Sequence, residues 1–211
     1  MSIKYKLKQI RPNIFLLKFK NHYDMCMTFV RYQEFYESPS KQFRGKPFKL
    51  LDFMAWYSKK YGDGMFTYPQ DWSGFNLSSP TIERVWKLGI PDYNDYDKVM
   101  ADVYNKCYDK TERFYIIGAE NGEKETLRHE IAHGMFYTND SYKKEMISAV
   151  KSMDLQAKKT MHSILKGYGY SKHVYVDEIQ AYMATGLMDE MDDASIHLAR
   201  PVFLEIFGRY Y

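Results

Sequence analysis

Apolar and polar residues alternate over 5–8, and 14–19 is a short apolar run broken only by Lys18, with Arg11-Pro12-Asn13 between the two segments. Short runs of this kind on either side of turn residues predict a pair of strands, 5–10 and 14–19. A helical period then takes over. Met27, Val30 and Phe35 suit a helix over 23–37, which the Ser38-Pro39-Ser40 cluster ends. Residues 38–47 read as a polar, basic loop, and 50–61 as a helix closed by Gly62. The stretch 65–77, with Pro69, Trp72 and Gly74, reads as irregular or short extended structure. Ser79-Pro80 offers an N-cap hydroxyl followed by a proline suited to the first helical turn, leading through Val85, Trp86 and Leu88 to Gly89. A further helix is expected over 95–107, with Val99, Met100 and Val103 on one face.

Residues 113–119, Arg-Phe-Tyr-Ile-Ile-Gly-Ala, form the clearest strand in the chain, aromatic and β-branched between polar flanks. Asn121-Gly122 is expected to turn the chain. Almost everything beyond is helical, in segments 125–137, 141–153, 155–166, 175–188 and 194–207. The expected class is α+β, a mixed first portion followed by a helical one, with no repeat and no low-complexity linker.

Composition narrows this picture. Apolar residues at 45% and charged residues at 27% are ordinary for a globular chain, which excludes disordered and fibrous classes. A net charge of +3 is too small to predict binding to nucleic acid or membrane. Lys41, Arg44, Lys46 and Lys49 lie among Phe43 and Phe48, but a solvated basic loop explains them without a nucleic-acid partner. Cys26 and Cys107 belong to no CxxC framework and read as two buried thiols in a reducing compartment. Neither the first residues nor Ile14-Phe15-Leu16-Leu17 makes a signal peptide or a membrane span, so a soluble, cytoplasmic protein is expected. Walker A, GxGxxG and GxSxG patterns are absent from the sequence, leaving nucleotide-binding and serine-hydrolase readings without support.

The chemistry concentrates in Leu127-Arg128-His129-Glu130-Ile131-Ala132-His133. On a helix, positions i and i+4 stand one turn apart on one face, so both imidazoles can reach a single metal ion while Glu130 projects beside it. Such a pair needs a third ligand and an open position holding water, from which Glu130 can take a proton. Leu127, Ile131 and Met135 fall on the opposite side of the helix wheel, so one side is expected to pack and the other to face the site. A random chain of this composition would carry about 0.01 such HExxH matches. Glu178, in the apolar segment from Val174 to Tyr182, is a candidate third ligand, because a carboxylate on a buried helix is costly unless paired or metal-bound. Asp177, His162 and His173 are its rivals.

At these residues the chain resembles the zincin metallopeptidases. Phe136 and Asn139 stand where the metzincin branch would need Gly and His or Asp, so that branch is excluded. The segment around Glu178 looks like the glutamate helix of the gluzincins. Its 45-position separation from His133 resembles the lethal-factor-like gluzincins and, more loosely, the Pro-Pro endopeptidases. The resemblance covers roughly residues 113–190. It implies a single two-lobed zincin-like domain over 1–211, with a small sheet and the active-site helix in the first lobe and a mostly helical second lobe. Within it, 1–110 is an unassigned α+β portion, 113–190 the catalytic core and 191–211 a C-terminal helix.

It further implies zinc held by His129, His133 and Glu178, with Glu130 as general base. A tyrosine before the glutamate helix would stabilise the oxyanion, and Tyr170 in the Gly167–His173 loop stands closest to that place, with Ser171 at the matching register. Tyr168, His173 and His197 are alternatives. Some gluzincins place an Asp four positions after the glutamate ligand to orient the first histidine. Tyr182 stands there, so that role falls to a carbonyl, to Asp177 or to nothing recognisable. The strand at 113–119 would be an edge strand that pairs with extended substrate, or else an interior strand. The implied function is zinc-dependent endopeptidase action on a peptide or protein. Its rivals are a catalytically inert metal-binding scaffold and a zinc hydrolase of non-peptide substrates.

Overall fold

Strands β1 (Tyr5–Arg11) and β2 (Ile14–Phe19) pair as an antiparallel hairpin whose turn passes through Asn13 at φ 60°. Asn is one of the few side chains that tolerates that left-handed conformation. The register shifts between Gln9 and Arg11, and the bulge carries β1 one residue past the expected end at Ile10. Asn21 caps helix α1 (His22–Glu37) by accepting the Tyr23 N–H. Helix α2 (Leu50–Tyr61) follows and ends at Gly62 as expected. Residues 65–77 resolve further than their composition suggested: they hold the short helix α3 (Tyr68–Asp71) and start strand β3 (Gly74–Ser78). Helix α4 (Ser79–Leu88) has its proline in the first turn, and α5 (Asp95–Tyr108) begins with a full capping box between Asn94 and Asp97.

Strand β4 (Tyr115–Ala119) completes a four-stranded mixed sheet in the order β1-β2-β4-β3, parallel between β2 and β4 and antiparallel elsewhere. Both sides of β4 are therefore taken by neighbouring strands, and all five of its residues are buried. The expectation of an edge strand at 113–119 is corrected; the interior alternative holds, and the sheet ends instead at β1 and β3. Gly118 sits in β4 because Phe29 of α1 lies on the strand there. A Cβ at that position would meet the Phe29 ring at 2.6 Å.

A single core joins the sheet to α1, α2, α4 and α5 through Phe15, Phe29, Phe53, Phe75, Ile82 and Val103. The loop at 38–47 is basic, yet Phe43 is fully buried, and its ring contacts Phe48, Phe53 and Trp56. Those two phenylalanines are core residues, with no face left on which a base could stack. Arg31 is also buried; it pairs with Asp97 and Asp92 and donates to the Phe48 carbonyl, tying the loop and α5 to α1. Cys26 and Cys107 are both buried and unbridged, as expected.

The second portion is helical: α6 (Lys124–Thr138), α7 (Asp140–Ser152), α8 (Leu155–Gly167), a 3-10 turn (Lys172–Val174), α9 (Tyr175–Thr185), a second 3-10 turn (Asp189–Met191) and α10 (Ala194–Tyr210). Asn139, Asp154 and Asp193 cap α7, α8 and α10 with side-chain oxygens. Helix α9 ends at Thr185, with Gly186 as its C-cap, three residues short of the expected Met188. It packs against α6, α7 and α10.

The computed structural model describes residues 3–119 and 124–211, so the turn expected at Asn121-Gly122 lies outside the described residues. The chain divides into two compact units, Met1–Glu123 and Lys124–Tyr211, and the class is α+β with a small mixed sheet. The sheet belongs to the first unit and α6 to the second. No helix among the described residues is long and apolar enough to cross a membrane.

Candidate metal centre

Helix α6 places His129 and His133 one turn apart, as their spacing dictates, and α9 brings Glu178 to face them. The Nε2 atoms of the two rings lie 3.1 Å apart. Glu178 Oε2 is 3.7 Å from His133 Nε2 and 4.0 Å from His129 Nε2. A triangle with these sides has a centre about 2.1 Å from each corner, the length of a zinc–nitrogen or zinc–carboxylate bond. His133 and Glu178 are buried and His129 is partly open to solvent. Among the described residues this is the one His, Cys, Asp and Glu cluster that could hold a metal ion.

The ring protons are placed for the same purpose. His133 Nδ1 lies 2.9 Å from Asp177 Oδ1, a carboxylate that can only accept, so Nδ1 carries the proton. Thr185 donates its hydroxyl to the Ala181 carbonyl at 2.7 Å, and its oxygen therefore accepts from His129 Nδ1 at 3.3 Å. Both Nε2 atoms are thereby turned toward the shared centre with lone pairs available. Two lone pairs 3.1 Å apart repel unless a cation or a proton lies between them. The charges agree with this. Burial acts to lower the His133 imidazole, but Asp177, Glu178 and Glu130 outweigh it and push it up to about 10. Burial and then the charge on His133 push His129 well below its ordinary value.

Behind Asp177 the chain of bonds continues. Gln180 donates to Asp177 Oδ1 at 3.0 Å and accepts from the Tyr142 hydroxyl at 2.7 Å. Gln180 and Tyr142 are fully buried, so each polar atom there needs a partner. Asp177→Ala is expected to weaken zinc binding by about 10- to 100-fold, as loss of an orienting partner does, without unfolding the protein. Competition with a chromophoric chelator measures it, and unchanged affinity would remove Asp177 from the site.

Other sequence expectations land as follows. Asp177 touches the far side of the His133 ring and is an orienting partner rather than a ligand. The exposed His162 packs on Tyr175, and the exposed His173 bonds to Ser171, so neither joins the donor triangle. His197 is exposed and pairs with Asp192, and Tyr168 bonds to Glu190. The Tyr170 hydroxyl bonds to Tyr182, whose ring centre is 4.6 Å from that of His129. Burial, then the Glu178 charge, pushes the Tyr182 phenol well up and keeps it a proton donor. Ile131 and Met135 of the expected stripe are buried and Leu127 is half-buried, while the two histidines face the donor cluster; the residues between them are buried as well, from Glu130 to Phe136. Glu130 is buried on the same turn as the two histidines and outside the donor triangle.

Sequence reading missed Thr185, Gln180, Tyr142 and the position of Tyr182. Gln180 alone left a trace, as an amide between Ile179 and Ala181 in an apolar run. Beside His129 a cavity of about 590 Å³ opens, lined in part by Tyr182, Thr185, Met188 and Arg200. Compared with known proteins, the chain matches no protein-family model, no curated protein and no solved structure.

Proposed function

We propose that this chain is a zinc-dependent endopeptidase of the gluzincin kind, acting on a peptide or protein substrate. The observation that carries the reading is the donor triangle of His129, His133 and Glu178 with Glu130 on the same turn. Two neutral nitrogens and one carboxylate are the donor set of catalytic zinc sites, which keep a position open, whereas structural sites close with a fourth side chain. Zinc bound there supplies Lewis acidity toward water and a peptide carbonyl. The zincin-like arrangement of lobes belongs to the same proposal.

The chain's own residues do the remaining work. Asp177 and Thr185 fix the two imidazoles in the tautomer that can ligate. Glu130 accepts a proton from the attacking water and then delivers it to the amine nitrogen of the departing peptide, so its charge returns to the starting state. Tyr182, kept protonated and held by Tyr170, donates toward the carbonyl oxygen as that oxygen gains negative charge. Tyr170 thus acts through Tyr182, a change from its expected direct role. The cavity beside His129 receives the substrate residue adjoining the scissile bond. Glu130 favours an enzyme over an inert scaffold, since a purely structural ion has no use for a buried base beside it.

The test uses the purified protein, its metal content and an unbiased peptide library read by mass spectrometry. The expected result is one zinc per chain and a defined set of cleaved bonds, lost on chelation and restored by zinc. Stoichiometric zinc with every peptide intact would overturn the peptidase reading.

A further inference from the structure

The cavity beside His129 contains one charge that nothing so far has used. Arg200, half-buried on α10, lines it together with Tyr182, Thr185, Leu187 and Met188. Its Nε donates to the Met183 carbonyl in the last turn of α9 at 3.3 Å. That bond fixes the guanidinium plane and leaves the two terminal nitrogens for another partner. Among the described residues no carboxylate forms an ion pair with Arg200. The other charge on the cavity wall, Glu125, is exposed in the first turn of α6.

These two charges are not equivalent. An exposed carboxylate is well solvated and gains little from an ion pair. A guanidinium that is half withdrawn from water, anchored at one nitrogen and set against apolar Leu187 and Met188, gains more from a planar, bidentate acceptor. Its chemical complement is a carboxylate. Gly186 adds room, since a Cβ built there meets nothing within 4 Å.

We infer that Arg200 binds a carboxylate of the substrate in the cavity next to His129, making it a specificity-determining residue. The inference rests on the peptidase reading above and names the class of peptide that the site selects. That carboxylate is either an Asp or Glu side chain beside the scissile bond or the free terminus of the peptide. The chemistry is shared, and only experiment separates the two sources.

Binding tests this without turnover. Zinc-loaded Glu130→Gln protein is titrated into fluorescent peptides in which Asp, Asn or Lys is walked through each position, each with a free or an amidated C-terminus. Anisotropy is expected to show acidic peptides binding about tenfold more tightly than their amide counterparts. The preference should vanish in Glu130→Gln/Arg200→Gln, persist in weakened form with Arg200→Lys, and turn toward Lys peptides with Arg200→Glu. Zinc content equal to that of the parent confirms that each variant is folded. A preference that follows the side chain identifies an acidic residue as the ligand, and one that follows the free terminus identifies the chain end. Peptide binding that ignores composition, or a preference that survives Arg200→Gln, overturns the role of Arg200 and leaves the peptidase reading standing. Absence of any peptide binding by the zinc-loaded protein overturns both.

Discussion

Glu130→Gln is expected to reduce peptide cleavage by about 10²- to 10⁴-fold while the zinc content stays at the wild-type level. The separation of the two effects follows from geometry. Glu130 is buried on the α6 turn that carries His129 and His133, yet the three donor atoms come from those histidines and Glu178. Gln keeps the shape of the side chain and its capacity to accept a hydrogen bond. It cannot hold the proton that the attacking water must release. Single-turnover cleavage and elemental analysis on the same sample measure both quantities. Glu178→Ala is the contrasting variant, since removing a ligand lowers zinc content and cleavage together. Wild-type cleavage by Glu130→Gln would refute the general-base role outright.

The second large effect concerns the first unit and its stability. Glu34 on α1 is 5% exposed, and its carboxyl is pushed up to about 7. Burial is the main cause and the Glu37 charge adds to it; the Ser38 and Tyr68 hydroxyls act in the opposite direction. A carboxyl with its folded pKa above the unfolded value of 4.5 binds its proton more tightly in the native chain. The associated stability is complete below about pH 4.5 and is lost as the pH rises through about 7. At 1.36 kcal/mol per unit the loss reaches about 3 kcal/mol. Glu34→Gln is expected to abolish this slope and to leave the protein more stable than wild type at pH 8. Trp56, Trp72 and Trp86 are the three tryptophans of the chain and all lie within Met1–Glu123, so their fluorescence during urea unfolding reports on this unit. Parallel pH dependence in wild type and variant would rule the carboxyl out as the cause.

Much of the helical half was legible because its signals are local. An i, i+4 pair of histidines announces its own geometry, and a carboxylate among Val176, Ile179 and Ala181 is too costly to bury without a purpose. The starts expected at 141, 155 and 194 lie within one residue of those of α7, α8 and α10, where Asn139, Asp154 and Asp193 supply caps that sequence reading had not picked out. The limit of α9 was misjudged because apolar residues continue beyond Gly186, and the glycine ends the helix before the pattern does. What stayed hidden is tertiary. Whether the strand at 115–119 lies inside a sheet depends on β2 and β3, which come from distant parts of the chain. Phe43 stands among lysines in sequence and among aromatic rings in space. Thr185 and Tyr142 acquire their roles only once α6, α7 and α9 are packed.

The hydrogen-bonded path from His133 through Asp177 and Gln180 to Tyr142 spreads one imidazole's orientation over three helices. Information about the donor cluster is therefore stored partly in side chains that lie outside it. A descendant of this protein could keep His129, His133 and Glu178 and still lose their arrangement by exchanging a single interior amide for an aliphatic group.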